Sequence, residues 1–271
     1  MLVDMHLHTR RSKDSVLSFP DAVEEAQKAG VDAICVTDHG RFTSEGEVAE
    51  MMERSDFLIF GGAELNTALG HVLVYDVPST VSWSLQRDLL LRRLRSLEQE
   101  IQGSPSMPLP RLESRLTHIM DLEIGDLVRN VHLAGGVVVW AHPMDHWSPL
   151  RRWFNKFADE HGTTDMPEFV RWLGENEATS WWPDVIRDLD GIEVLNGSSK
   201  RRGVCNLLAK QLAEVLGKPS TGGSDAHERA AVARAATLFD AEPEREMRIG
   251  DLIRTANPQA MTLKPIPAPS G

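Results

Sequence analysis

The sequence predicts an α/β barrel, and three observations carry that expectation. Short apolar runs alternate with helix-like segments in a β-α-β-α order, which implies a parallel sheet with right-handed crossovers. Histidines and carboxylates recur where the apolar runs end, and in such a barrel the strand ends open onto one shared pocket. The chain has 271 residues, 41% of them apolar and 25% charged, the length of one barrel and the composition of a globular protein.

Leu2 to His6 reads as the first strand, and a loop carrying Asp14 leads into a helix. Ser18 can cap that helix, Pro20 suits its first turn, Asp21 complements its dipole and Gly30 ends it. Ala33 to Thr37 forms the second strand, followed by a helix near Ser44–Arg54 and a third strand at Phe57–Phe60. Glu64 falls just beyond that strand, and His71 to Tyr75 reads as another. Residues 84–102 place Leu85, Leu89, Leu90, Leu94, Leu97 and Ile101 on one helical stripe, a helix that covers the barrel in preference to binding a partner. A loop at 103–110, a helix near Glu123–Ala134 and a strand at Val137–Ala141 follow.

Residues 144–183 hold five of the seven tryptophans, too long a connection to lack helices of its own; these are expected near Leu150–Glu160 and Pro167–Asn176. The insertion reads as a small structural subdomain in preference to a cap over the pocket. Then come a strand at Ile192–Leu195, a helix at Val204–Leu216 closed by Gly217, and strands at Pro219–Thr221 and Ala235–Phe239. A single domain spans 1–256, and 257–271 is a Pro-rich tail.

The chemistry lies in His6-Leu7-His8, Asp14, Thr37-Asp38-His39, Glu64, His71, Ala141-His142-Pro143 and Ser224-Asp225-Ala226-His227. A strand points residues i and i+2 to one face, so His6 can join His8 on one ion, and Asp225 can join His227. Imidazoles mixed with carboxylates suit zinc, manganese or iron rather than calcium. Nine ligands exceed the needs of one ion, and with solvent completing the shells they fit two to three.

These residues resemble those of the PHP (polymerase and histidinol phosphatase) phosphoesterases. Asp4-Met5-His6-Leu7-His8-Thr9 with Ser12, Asp14 and Ser15 is similar to the family's first motif, and Thr37-Asp38-His39 to its second. Glu64 with His71, then Ala141-His142-Pro143, then Gly223-Ser224-Asp225-Ala226-His227 resemble the later ones, in order, over about residues 1–240. The resemblance implies a distorted (β/α)7 barrel with a trinuclear metal centre at the C-terminal ends of its strands. By the same carry-over, His6, His8, Glu64 and Asp225 surround one ion, Glu64, His71 and His142 a second, and Asp14, His39 and His227 a third, with Glu64 bridging.

The expected activity is hydrolysis of a small organic phosphate, nucleotide-like or an amino-alcohol phosphate, by a hydroxide shared between metals, with Glu64, Asp225 and His142 around it. A nucleic-acid phosphodiesterase and a non-catalytic metal-stabilised module are the alternatives. A net charge of −11 argues against nucleic acid as a partner. Arg10, Arg11, Lys200, Arg201 and Arg202 are candidate substrate-binding residues, since guanidinium groups suit phosphate. His146 is a candidate outer group; His118, His132 and His161 read as surface or packing residues. The start of the chain shows no secretory signal and no run spans a bilayer. Two cysteines make no disulfide scaffold, and a reducing cytoplasm fits.

Overall fold

The computed structural model describes residues 1–67, 69–81, 124–176, 182–198 and 202–264. Strands β1 (Leu2–Leu7), β2 (Ala33–Val36) and β3 (Leu58–Thr67) pair in parallel, joined by helices α1 (Phe19–Lys28) and α2 (Glu45–Ser55). Both helix starts follow from local sequence: Ser18 accepts the Asp21 N–H ahead of α1, and Ser44 and Glu47 cap α2 reciprocally.

Strand β4 (Gly70–Tyr75) departs from the all-parallel expectation. It runs antiparallel to β3 and to β5 (Val137–Trp140), because only two residues separate it from a β3 that continues to Thr67. Glu64 therefore lies inside a strand, not beyond one. The antiparallel sense has a useful result: the first residues of β4 sit at the same sheet end as the last residues of β2 and β5, which places His71 beside the other histidines.

Helix α3 (Ile124–Leu133) precedes β5; α4 (Pro149–His161), α5 (Met166–Glu175) and α6 (Trp182–Asp188) precede β6 (Gly191–Asn196). Helix α7 (Arg202–Leu216) then leads to β7 (Ser220–Gly223), and β5, β6 and β7 are parallel. A final unit of β8 (Ala235–Leu238), α8 (Ile249–Thr255) and β9 (Gln259–Thr262) extends the sheet antiparallel beyond β1. The strand β9 lies within the stretch expected to be a tail. The covering helix expected at 84–102 and the loop at 103–110 lie outside the described residues.

The sheet order is β7-β6-β5-β4-β3-β2-β1-β8-β9, and β7 curls back onto β1 to nearly close a seven-stranded barrel. Asp225 N–H donates to His6 O at 2.6 Å and His8 N–H to Ala226 O at 2.9 Å. A side-chain carbon at Gly223 would fall 2.4 Å from His6 Cβ, so only glycine lets β7 approach β1 this closely. The fold is a distorted (β/α)7 barrel.

Val3, Met5, Ala33, Cys35, Leu73, Tyr75 and Val139 fill the interior, with Ile249, Leu252 and Ile253 of α8 beneath them. Helices α1 and α2 cover β1–β3 from outside through Val23, Ala26 and Met51. Helices α4 and α5 bring Phe154, Phe157 and Phe169 into the largest apolar cluster. Among the described residues, no helix is long and apolar enough to cross a membrane.

Candidate metal centre

Strand irregularities aim the inward residues. Val3 and Met5 belong to the interior but Leu7 to the outer layer, because the register of β1 shifts between Asp4 and Leu7. The shift turns His6 into the barrel, a re-aiming typical of bulges at barrel rims. His142, just after β5, and Asp225, just after β7, hold left-handed backbones with φ of 27° and 50°. Non-glycine residues adopt this conformation where surrounding bonds enforce it.

All nine expected ligands converge at this end of the barrel. His6 Nε2 and His8 Nε2 lie 3.0 Å apart, and both face Glu64 Oε2 and Asp225 Oδ1 at 3.3–3.6 Å. Glu64 Oε1 points the other way, 2.7 Å from His71 Nδ1 and 3.0 Å from His142 Nε2. Asp14 Oδ2 stands 3.2 Å from His39 Nε2 and 3.3 Å from His227 Nε2 at the exposed side. The groups share members: His8, His39 and His227 also present ligand atoms within 4.8 Å of one another.

This donor set fits divalent cations. Glu64 Oε2 and His71 Nδ1 are buried and, among the described residues, neither has a partner of hydrogen-bond geometry, although His39 Nδ1 lies 2.9 Å from the first and Glu64 Oε1 2.7 Å from the second. Buried polar atoms ordinarily find partners; here Glu64 Oε2 faces nitrogens of His6, His8 and His39 while His71 Nδ1 faces Glu64 Oε1, and ions between such donors would satisfy both atoms. Without cations, burial and the neighbouring charges pull the titrating groups in opposite senses. Burial opposes a charged His6, but Glu193, Asp225 and Glu64 outweigh it and hold its pKa well above the ordinary value. His8, against the same burial, is pushed up to about 9 by the carboxylates of Asp225 and Glu64 beside it. Burial alone would raise the pKa of Glu64 and Asp225; the surrounding imidazoles outweigh it and lower both. His71 is lowered, chiefly by burial, whereas Glu64 raises His142 in spite of it.

The model of the PHP domain matches residues 4–104, and that of the PHP-associated region matches residues 205–255. The chain belongs to the PHP family. A structure from Bifidobacterium adolescentis, described as that of a candidate metal-dependent phosphoesterase, aligns with TM-score 0.53 and 19% identity, over 84% of this chain and 88% of that one. A two-domain protein from Bacteroides vulgatus, described as containing a predicted PHP-like metal-dependent phosphoesterase, aligns at 0.55 and 18%, over 97% of this chain and 65% of its own. The lesion-specific endonuclease EndoQ of Pyrococcus furiosus aligns at 0.54 and 13%, over 96% of this chain and 57% of its own.

EndoQ corrects one expectation. An Endonuclease Q structure holding a 27-mer duplex with an abasic lesion at its active site has the same fold, at TM-score 0.53 and 12% identity. Net charge therefore does not set nucleic acid aside as a partner of a PHP protein. The physical reason is that the summed charge is a whole-chain quantity, whereas cations held by His and carboxylate ligands reverse the sign where a phosphate lands.

The remaining candidates divide. Arg10 and Arg11 line a cavity of about 530 Å³ between α1 and α2, beside the PHP centre rather than in it. Arg11 pairs with Glu47 at 3.0 Å, and Arg10 Nε donates to Val16 O. Lys200 and Arg201 lie outside the described residues, and Arg202 opens α7. His132 pairs with Asp190 at 2.8 Å and His161 packs on Phe157, both structural, while His146 is exposed beside Asp145. The tryptophans of the insertion also divide: Trp153 and Trp172 pack on the apolar cluster, but Trp147 stands 4.6 Å from His71 and 5.1 Å from His142, centroid to centroid, and is 41% exposed.

Sequence reading named Asp4, Thr9, Ser12, Asp38 and Ser224 only as members of motifs and missed the polar frame that they build. Asp38 accepts from Thr9 N–H, Thr9 Oγ1 and Ser12 Oγ at 2.7–2.8 Å, and Ser12 Oγ in turn meets His8 Nδ1 and the His39 N–H. Asp4, buried and pushed up to about 6 by desolvation, accepts from the Ser224 and Ala233 N–H groups. Glu193 and Asn196 lie on the inner face of β6. The signal for the last pair was a carboxylate and an amide inside an otherwise apolar strand.

Proposed function

We propose that the His-carboxylate centre of this PHP protein, a metal-dependent phosphoesterase, holds two to three zinc, manganese or iron ions and hydrolyses a phosphate ester bound across them. His6, His8, Glu64 and Asp225 would hold one ion, Glu64, His71 and His142 a second, and Asp14, His39 and His227 a third. The observation that carries this reading is the division of Glu64: one oxygen faces His71 and His142, the other faces His6, His8 and His39. Ions bound there lower the pKa of water from about 15.7 towards 7 and offset phosphate charge.

The protein's own part is placement. Glu64 and Asp225 keep the centre anionic enough to retain cations, buried imidazoles give it rigid neutral ligands, and the partly exposed Asp14, His39 and His227 leave one side open to solvent and substrate. Trp147 forms an apolar wall next to His71 and His142. A phosphate ester with a planar organic part, such as a nucleotide, places phosphate on the centre and its ring on Trp147.

Two forms of such a substrate are distinguished: a free small phosphate ester, and a phosphodiester or end within a nucleic-acid strand. The second draws on the likeness in fold to EndoQ. Phosphate release from a panel of free esters and from single- and double-stranded oligonucleotides, each with manganese, zinc and iron, tests both. No turnover on either, with metal bound, would leave the non-catalytic module and overturn the proposal.

A further inference from the structure

We infer that Glu193 and Asn196 are positioning residues that set the tautomer of His6 and hold the two left-handed ligands, His142 and Asp225. The inference rests on the metal-centre reading above. Neither residue belongs to the nine ligands.

Strand β6 is built to aim them inward together. In a regular strand, residues 193 and 196 would face opposite sides. The register of β6 against β7 shifts between Glu193 and Leu195, and Ile192, Val194 and Leu195 all pack outward on the helical layer. The extra residue brings Glu193 and Asn196 to the same inner face, both almost wholly buried.

Three donors then converge on one carboxylate. Glu193 Oε1 lies 3.0 Å from His6 Nδ1, while Oε2 accepts the His142 N–H at 2.9 Å and Asn196 Nδ2 at 3.1 Å. Asn196 Nδ2 also reaches Asp225 Oδ2 at 3.2 Å. With Nδ1 donating to Glu193, His6 presents a bare Nε2 to His8, Glu64 and Asp225, which is the form that binds a cation. The same pair ties down the His142 backbone and the Asp225 carboxylate, so one polar brace on β6 supports the ligands on β1, after β5 and after β7.

The chemistry requires a carboxylate, not merely a side chain of this size. A carboxylate offers two acceptor oxygens, whereas an amide has one acceptor and one donor. In Glu193→Gln the oxygen can satisfy His142 and Asn196 only by turning the NH2 toward His6 Nδ1. His6 must then accept at Nδ1 and carry its proton on Nε2, aimed at the ion's place. The third group, Asp14, His39 and His227, touches neither residue.

The test measures Mn2+ binding by competition with a chelator and by elemental analysis, with thermal unfolding of the metal-free protein alongside. Wild type is expected to hold two to three ions; Glu193→Gln is expected to keep the ion of the Asp14 group, bind the others about 10–100-fold more weakly, and unfold metal-free near the wild-type temperature. Asn196→Ala should show a smaller loss in the same ions, and decides the matter if Glu193→Gln does not fold. Wild-type Mn2+ affinity in Glu193→Gln, or in Asn196→Ala should that variant stand alone, would overturn the inference. A wild type that binds no Mn2+ would instead overturn the reading beneath it.

Discussion

Glu64 meets His71 with one carboxylate oxygen, 2.7 Å from Nδ1, and turns its other oxygen away toward His8 at 3.3 Å. One side chain on β3 thus reaches histidines on β4 and after β1, and β3 is where the parallel and antiparallel parts of the sheet join. Glu64→Gln keeps the volume but offers only one acceptor oxygen. It is expected to lower phosphate-ester turnover by more than about 100-fold, since losing a ligand should exceed the loss from an outer partner. Circular dichroism should be unchanged; turnover within threefold of wild type would remove Glu64 from the centre.

Metal content gives the second prediction. Purified protein should carry two to three equivalents of transition metal by elemental analysis. Stripping with a chelator should abolish turnover and lower the melting temperature, because an ion that binds only the folded chain stabilises it by mass action. One equivalent or fewer after metal-replete expression would contradict the count.

Acidity offers a third. In the metal-free protein the His8 pKa is raised from 6.5 to about 9, with burial opposing and the neighbouring carboxylates of Asp225 and Glu64 prevailing. A raised folded pKa contributes stability that is fully present below 6.5 and lost as pH rises through about 9. The metal-free protein should therefore lose melting temperature over that window relative to His8→Gln. Metal affinity should move oppositely, rising with pH, because the cation requires the deprotonated ring. Equal pH profiles for the two metal-free proteins would show that His8 carries no such proton.

Trp147 supplies the fourth. If the organic part of the substrate stacks on the indole, Trp147→Ala should lower kcat/KM about tenfold on a nucleotide ester, within the ~1–3 kcal/mol of one stacked base. It should leave a methyl or glyceryl phosphate nearly unaffected, and Trp147→Phe should restore most of the loss. Equal losses on both kinds of ester would mean that the ring packs the histidines and does not read substrate.

What the sequence determined by itself was local and periodic. The caps at Ser18 and Ser44 fixed where α1 and α2 begin, since a helix start depends on residues within one turn. The spaced histidines and carboxylates marked the ligand candidates and the end of the barrel where they meet, because side-chain chemistry and strand ends are readable in one dimension.

Tertiary structure decided the rest. The antiparallel sense of β4 depends on which neighbours it bonds, and an apolar run looks alike in either direction. The bulges in β1 and β6 reverse the inward-outward alternation, so a strict period of two could not show that His6 turns inward or that Glu193 and Asn196 share a face. Arg10 and Arg11 read as candidate substrate-binding residues by chemistry alone; the fold sets them along a cavity between α1 and α2 and gives Arg11 a partner in Glu47. Composition likewise could not locate charge, because a chain-wide total of −11 says nothing of the field at one cluster of histidines and carboxylates.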